Sequence, residues 1–234
     1  MIEWPFLCLI LGYDPTQYAL MSPTAKKDGS DTERFNLAPT RFEGTFLDSV
    51  NLRLLEGQRD SRGSFTEVFC DIWGLPIVPA QWSVVRSVAG TLRGMHLHLR
   101  HSEYFLCISG RACVGLYDLR PASPTKDRSM LIHINGVEPV AVSFPCGIAH
   151  GWLFITDAIH LQAVSETYAN YKEDDNLGVH WSDPELNLPW PEEPRIVSRE
   201  ANAFGSLAEL RAKIEKTLHE TSSPAMDPQF QLSV

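Results

Sequence analysis

From about residue 45 onward the chain alternates short apolar runs with turn formers. WSVVRSV (82–88), EYFLCI (103–108), ACVGLYDL (112–119), MLIHI (130–134), VAVSF (140–144), GWLFIT (151–156) and HLQAVSET (160–167) are rich in Val, Ile, Phe, Tyr and Trp. Gly110, Pro121, Pro124, Gly136 and the Pro145-Cys146-Gly147 turn punctuate them. Strands this short, at this spacing, predict an all-β sandwich or barrel. One helix is predicted, from Ser206 to about Glu220. Ser206 and Glu209 form a capping-box pair, and Leu207, Leu210, Ile214 and Leu218 recur on one face. Residues 22–38 are polar with turn formers and read as a linker, and the final TSSPAMDPQFQLSV reads as a loose tail. The expected organisation is an N-terminal extension (1–44), a β domain (45–205), a C-terminal helix (206–220) and a tail (221–234).

The opening MIEWPFLCLILGY is apolar but too short to span a bilayer. It contains Glu3, lacks a basic leader and stops at Asp14-Pro15. It is expected to pack on the core or on a partner subunit, so no membrane association is predicted. The 234 residues are 44% hydrophobic, enough for a sizeable core. A net charge of −9 argues against nucleic acid, because binding a phosphate backbone needs a basic stripe; a small anionic ligand needs only a few arginines. The five cysteines are odd in number and show no CxxC spacing, which suggests reduced thiols and a cytoplasmic protein.

The candidate chemistry lies in GTLRGMHLHLRHSEYFLCISG, residues 90–110. His96 and His98 are two apart in a strand-like context, which puts them on one face. Glu103 opens the next β run, and His150 follows a Pro-Gly turn in PCGIAHG. Three imidazoles and a carboxylate suit a divalent transition ion such as Zn, Fe, Ni or Mn. The alternative is that His98 or Glu103 points to solvent and no metal binds. No organic cofactor is expected. His101 reads as an exposed turn residue, His133 as a strand-face residue, and the acidic KEDD (172–175) as a solvated loop. His160 and His180 are candidates for the barrel mouth; Trp181 and Trp190 are expected to pack the barrel end, and Cys107 and Cys113 the core.

Two resemblances follow from these residues. G-x5-H-x-H-x4-E-x6-G (Gly90 to Gly110) and P-x-G-x-x-H (Pro145 to His150) match the paired motifs of the cupins, except that Phe154 stands where the second motif has Asn. This implies a jelly-roll, double-stranded β-helix barrel with a few peripheral helices. Over about residues 45–207 the chain also resembles the dTDP-4-dehydrorhamnose 3,5-epimerase family. The resemblance is carried by DSRGSFTE (60–67), Gln81, LRGMH (92–96), DLRPASPT (118–125), PCGIAHGW (145–152), Tyr168 and WSDPELNLPWP (181–191). It implies that Arg62, Phe65, Glu67 and Gln81 help hold a nucleotide, the first three reaching from a neighbouring subunit of a homodimer. It also implies that Arg93 pairs with the diphosphate, as a guanidinium suits, and that Tyr168 flanks the base. His96 would be the general base that removes a proton α to a 4-keto group, with Glu200 near the carboxylate that orients it, and His150 would hydrogen-bond the keto oxygen.

Three departures from the family pattern matter. Glu103 stands where the family has Lys, Gln162 where it has a Tyr acid, and His98 where it has Gln. Loss of the Tyr acid suggests inversion at one carbon. A Lewis-acid ion can replace lysine in stabilising an enolate, but His96 cannot be both a ligand and a free base. Three functions therefore stand: a nucleotide-sugar epimerase acting on a dTDP-4-keto-6-deoxyhexose, a metal-dependent cupin oxygenase or other metalloenzyme on the same scaffold, and a non-catalytic sugar-nucleotide binding protein.

Overall fold

A computed structural model describes residues 40–171 and 175–221. The expectations for the apolar opening, the linker and the tail lie outside these residues. Strands are numbered in chain order. One sheet of seven strands runs β1 (Arg41–Gly44), β9 (Ser129–Asn135), β8 (Arg111–Asp118), β11 (Ile148–Phe154), β6 (Thr91–Leu97) and β13 (Leu177–Gly178), with β14 (Ile196–Val197) parallel to β6. The facing sheet of five runs β2 (Asn51–Leu54), β10 (Val140–Phe144), β7 (Glu103–Ser109), β12 (Ala158–Val164) and β5 (Gln81–Ser87). β3 (Gly57–Asp60) and β4 (Gly63–Thr66) pair with each other as a separate hairpin. All other pairings are antiparallel. The architecture is the all-β cupin type. β1 begins the seven-stranded sheet at Arg41, inside the segment expected to be extension, because Phe42 is drawn into the core.

The core fills the space between the sheets with Phe42, Phe105, Val114, Ile132, Val142, Phe144, Trp152 and Phe154, all at most 3% exposed. Burying each such side chain stabilises by about 1.5–3 kcal/mol. The apolar runs read from the sequence supply all of these but Phe42, and Cys107 and Cys113 are buried with them. A second cluster closes one end, where Met95, Leu97, Tyr117 and Val179 meet Leu207 and Leu210 of the C-terminal helix. Trp181 and Trp190 pack against this end. That helix, α3 (Leu207–Thr221), follows α1 (Tyr168–Tyr171) and α2 (Arg199–Asn202). Its cap is reciprocal: Ser206 N donates to Glu209 Oε2 at 2.7 Å, and Glu209 N to Ser206 Oγ at 3.3 Å.

Candidate active site

The site occupies one end of the space between the sheets. β6 and β11 are neighbours in which His96 and His150 are register partners, with a bulge just after His150. Gly94, at φ +115°, lets β6 approach there, since a Cβ would lie 2.5 Å from the His150 carbonyl oxygen. From the facing sheet, Glu103 opens β7 and Gln162 lies on β12 beside it. Below them Phe144 and Trp152 pack around the His150 ring at 5.0 and 5.1 Å between centroids, so the floor is aromatic.

Glu103 is 1% exposed and sits at the centre. Gln162 Nε2 donates to its Oε2 at 2.9 Å. The Nε2 atoms of His98, His101 and His150 face its other oxygen, Oε1, at 3.4, 3.7 and 3.9 Å. Each of these rings is held from behind. His98 Nδ1 meets the backbone carbonyl of Asp175, His101 Nδ1 meets Asp175 Oδ2 at 2.8 Å, and His150 Nδ1 meets the Ile148 carbonyl at 3.0 Å. Asp175 is itself fixed by the backbone N–H groups of Leu99 (2.6 Å) and Arg100 (3.1 Å). The ring of Tyr171 stacks on His101, which stacks on His98.

Two expectations are corrected here. His101 is not an exposed turn residue but 1% exposed, because the turn after β6 folds it back beneath Tyr171 and onto Asp175. Asp175, the one described member of the acidic KEDD, is not solvated but 2% exposed, because it satisfies two backbone amides and an imidazole. His96, grouped with the metal candidates by spacing, stands apart. Its ring centroid is 6.3 Å from His98 and 6.4 Å from His150, it makes no ion pair with Glu103, and its Nδ1 is buried with no hydrogen-bond partner. Phe204 meets it edge-on at 5.5 Å. Gly178 makes room for that ring, since a Cβ there would fall 2.2 Å from it. Glu200 makes no hydrogen bond to His96; it accepts one from Asn176 Nδ2 at 3.0 Å.

The electrostatics follow from burial. Desolvation lowers His150 to about 3 and His96 to about 4, against a partial counter-pull from Glu103. Burial by itself would raise the Glu103 carboxyl, but the imidazoles of His101, His98 and His150 hold it below the usual carboxylate range. Burial likewise opposes protonation of His101, yet Asp175 and Glu103 outweigh it and push it up to about 9. Two buried carboxylates thus flank one imidazole, and the cluster calls for positive charge.

The residues carried over for nucleotide binding lie elsewhere. Arg62, Phe65 and Glu67 are exposed on and just after the β3–β4 hairpin, where Arg62 pairs with Asp60 at 2.5 Å. Arg93 is exposed on β6 and its Nε donates to Ser87 Oγ at 3.0 Å. Gln81 Oε1 accepts from the backbone N–H of Tyr168 at 3.1 Å, while the Tyr168 ring is largely exposed. His160 lies in the core rather than at the mouth, between Phe105 and Phe154.

The family model described as dTDP-4-dehydrorhamnose 3,5-epimerase matches residues 45–209. This chain belongs to that family. It is similar to a dTDP-4-dehydrorhamnose 3-epimerase of Streptomyces niveus, with 32% identity over 67% of this chain and 78% of the relative. A dTDP-4-dehydro-6-deoxyglucose 3-epimerase of Streptomyces bikiniensis is 30% identical over 58% of this chain and 71% of the relative. Among solved structures, the 4-keto-6-deoxy sugar epimerase NovW from Streptomyces spheroides superposes with a TM-score of 0.65 at 28% identity, covering 75% of this chain and 92% of that one. Epimerases are isomerases, and the oxygenase reading finds no support among these relatives. Against this family, the two departures at Glu103 and Gln162 prove to be one feature, since the two side chains bond to each other.

Proposed function

We propose that this protein epimerises a dTDP-linked 4-keto-6-deoxyhexose by removing a proton α to the ketone, and that it inverts one carbon. The observation that carries the reading is His96. It lies apart from the Glu103 cluster, its Nδ1 engages no protein group, and Phe204 fixes the ring edge-on. A base that must take a proton from carbon needs a nitrogen free of other bonds within reach of the substrate. Asn176 and Glu200 form the polar pair nearest this role, with Glu200 acting as a positioning residue through Asn176. Single-carbon inversion is supported by Gln162, which cannot deliver a proton to the opposite face, and by the 3-epimerase names of two relatives. Arg93 would pair with the diphosphate and Tyr168 would flank the base.

A homodimer is part of the same reading. The β3–β4 hairpin is exposed along its whole length except Thr66, and β5, at the sheet edge, exposes Trp82 and Val84. Such an edge calls for cover. A cytoplasmic location is supported by the free thiols of Cys70, Cys107, Cys113 and Cys146. No described helix is long and apolar enough to cross a membrane.

The test is proton exchange. With a dTDP-4-keto-6-deoxyglucose substrate in D2O, NMR is expected to show deuterium entering at C3 and not at C5, with His96→Asn abolishing it. Incorporation at both carbons overturns the single-centre part. No incorporation with any of several nucleotide 4-keto sugars overturns the epimerase itself.

A further inference from the structure

We infer that His98, His101, His150 and Glu103 form a binding site for one divalent transition-metal ion, with His96 outside the ligand set. Three observations carry this. First, every Nδ1 in the set faces an acceptor that has no proton to give: the Asp175 carbonyl, the Asp175 carboxylate and the Ile148 carbonyl. Each Nδ1 therefore carries a hydrogen, so that Nε2 is the atom each ring turns inward and the one a bound ion would take. Second, those three Nε2 atoms converge on Glu103 Oε1, an anion. Three ring nitrogens gathered round one carboxylate oxygen call for positive charge among them, which a bound cation would supply. Third, the distances of 3.4, 3.7 and 3.9 Å are long for hydrogen bonds. Nitrogen and oxygen ligands bind such ions at about 2.0–2.2 Å, which spaces neighbouring ligand atoms roughly 3–3.5 Å apart. His98, His101 and Glu103 already hold their ligand atoms within 4.8 Å of one another, while His150, 3.9 Å from Glu103 Oε1 but with its ring centroid 5.1 Å from that of His98, has to close in further to join them. The His101 side chain is wholly buried, and its Nε2 points at Glu103 Oε1 from 3.7 Å with no hydrogen-bond partner.

The surroundings are those of a metal site. Asp175 behind His101 is the carboxylate–histidine arrangement that fixes a ligand's tautomer and raises its basicity. Gln162 occupies Oε2 and leaves Oε1 for the ion. Three imidazoles and one carboxylate fit Zn, Fe, Ni or Mn rather than Mg or Ca. Where the spacing of the sequence forced His96 to be either ligand or base, the fold brings in His101 as the third imidazole and leaves His96 free. What the ion would supply is the positive charge that the family's lysine supplies at the position of Glu103. That last point rests on the epimerase reading; the site itself does not.

Metal content is measured without substrate, so the outcome is independent of the exchange experiment. Full-length protein, purified without chelator or metal-affinity tag, is expected to carry about one equivalent of a first-row divalent ion by mass spectrometry. After stripping, Zn2+ titration by calorimetry should saturate at one site and Co2+ should give a visible d–d absorption. His101→Ala and Glu103→Gln are expected to weaken Zn2+ binding at least about 100-fold, and His96→Asn to leave it within about threefold. If His101→Ala does not fold, Asp175→Asn tests the same arrangement with every ligand in place, and about 10–100-fold weaker binding is expected. Stripped wild-type protein that takes up neither Zn2+ nor Co2+ at millimolar concentration overturns the site. Loss of binding in His96→Asn with retention in His101→Ala overturns the ligand set.

Discussion

At the scale of single residues, the chemistry depends on which nitrogen of each histidine is occupied. His98, His101 and His150 spend Nδ1 on an acceptor; His96 leaves Nδ1 free; His160 leaves both nitrogens without a partner while fully buried between Phe105 and Phe154. The sequence placed His98, Glu103 and His150 through their spacing, because strand alternation fixes where such side chains point. It missed His101 and Asp175. His101 lies in a turn, where no periodicity sets direction, and its partner comes from 74 residues further along. His160 supplies a stability prediction. Burial, then Arg93, lower it to about 4, against an opposing pull from Glu103. A base whose folded value is depressed takes its proton first in the unfolded chain. Stability is therefore complete above about pH 6.5 and is lost as pH falls toward 4, by about 2 kcal/mol at pH 5. His160→Phe removes this loss and also the cost of two unpartnered polar atoms, about 1–3 kcal/mol. Urea midpoints are expected to favour the variant at pH 7.5 and to favour it more at pH 5; an equal difference at both values would count against the assignment.

At the scale of elements, the long strands and the capped helix were legible because they carry their own pattern, short apolar runs bounded by turn formers in β7 to β12 and a Ser206–Glu209 box at α3. β13 and β14 were not, being two residues each and defined by what they dock against on β6. Yet β13 leads the chain from Asp175 and Asn176 past His96, so these short pieces complete the site. The β7–β12 pair is the other decisive element. Val164 lies opposite Glu103 and Gln162 opposite Phe105, a diagonal that brings the glutamine amide to the carboxylate. The two positions at which this chain departs from the family pattern are thus coupled, an amide donor fixing a carboxylate. Gln162→Leu keeps the side-chain volume and removes the donor. Zn2+ affinity is expected to fall about 10–100-fold, as when an outer partner of a metal ligand is lost. Unchanged affinity by calorimetry, in a variant with wild-type circular dichroism, would show that Glu103 needs no such support.

At the scale of the whole molecule, the two sheets bring His96 and the Glu103 cluster to one end but leave the residues proposed to hold the nucleotide scattered. Arg62 and Phe65 sit on a hairpin that pairs only with itself, with the Arg62 side chain 88% exposed and Phe65 68%. An aromatic ring and a guanidinium held out in this way gain little from their own subunit. In a two-fold dimer each hairpin would lie over the partner's barrel mouth, and the contact would repeat symmetrically. The exposed Trp82, Val84, Ile72 and Val78 supply apolar surface for such a contact. Light scattering at micromolar concentration is expected to give twice the chain mass, and a stable monomer would remove Arg62 from the site. Complementation then asks which subunit Arg62 serves. Arg62→Ala is expected to weaken nucleotide binding by about 1.5–3 kcal/mol, the range for hydrogen bonds to a charged group, and so to be nearly inactive at low substrate. His96→Asn is expected to be inactive at any concentration. If the arm acts in trans, unfolding and refolding the two variants together pairs a wild-type arm with a wild-type barrel in one of the two sites of each mixed dimer. About a quarter of all sites should then recover. If the arm acts in cis, the mixture stays as inactive as its components, and the exposed hairpin needs another explanation.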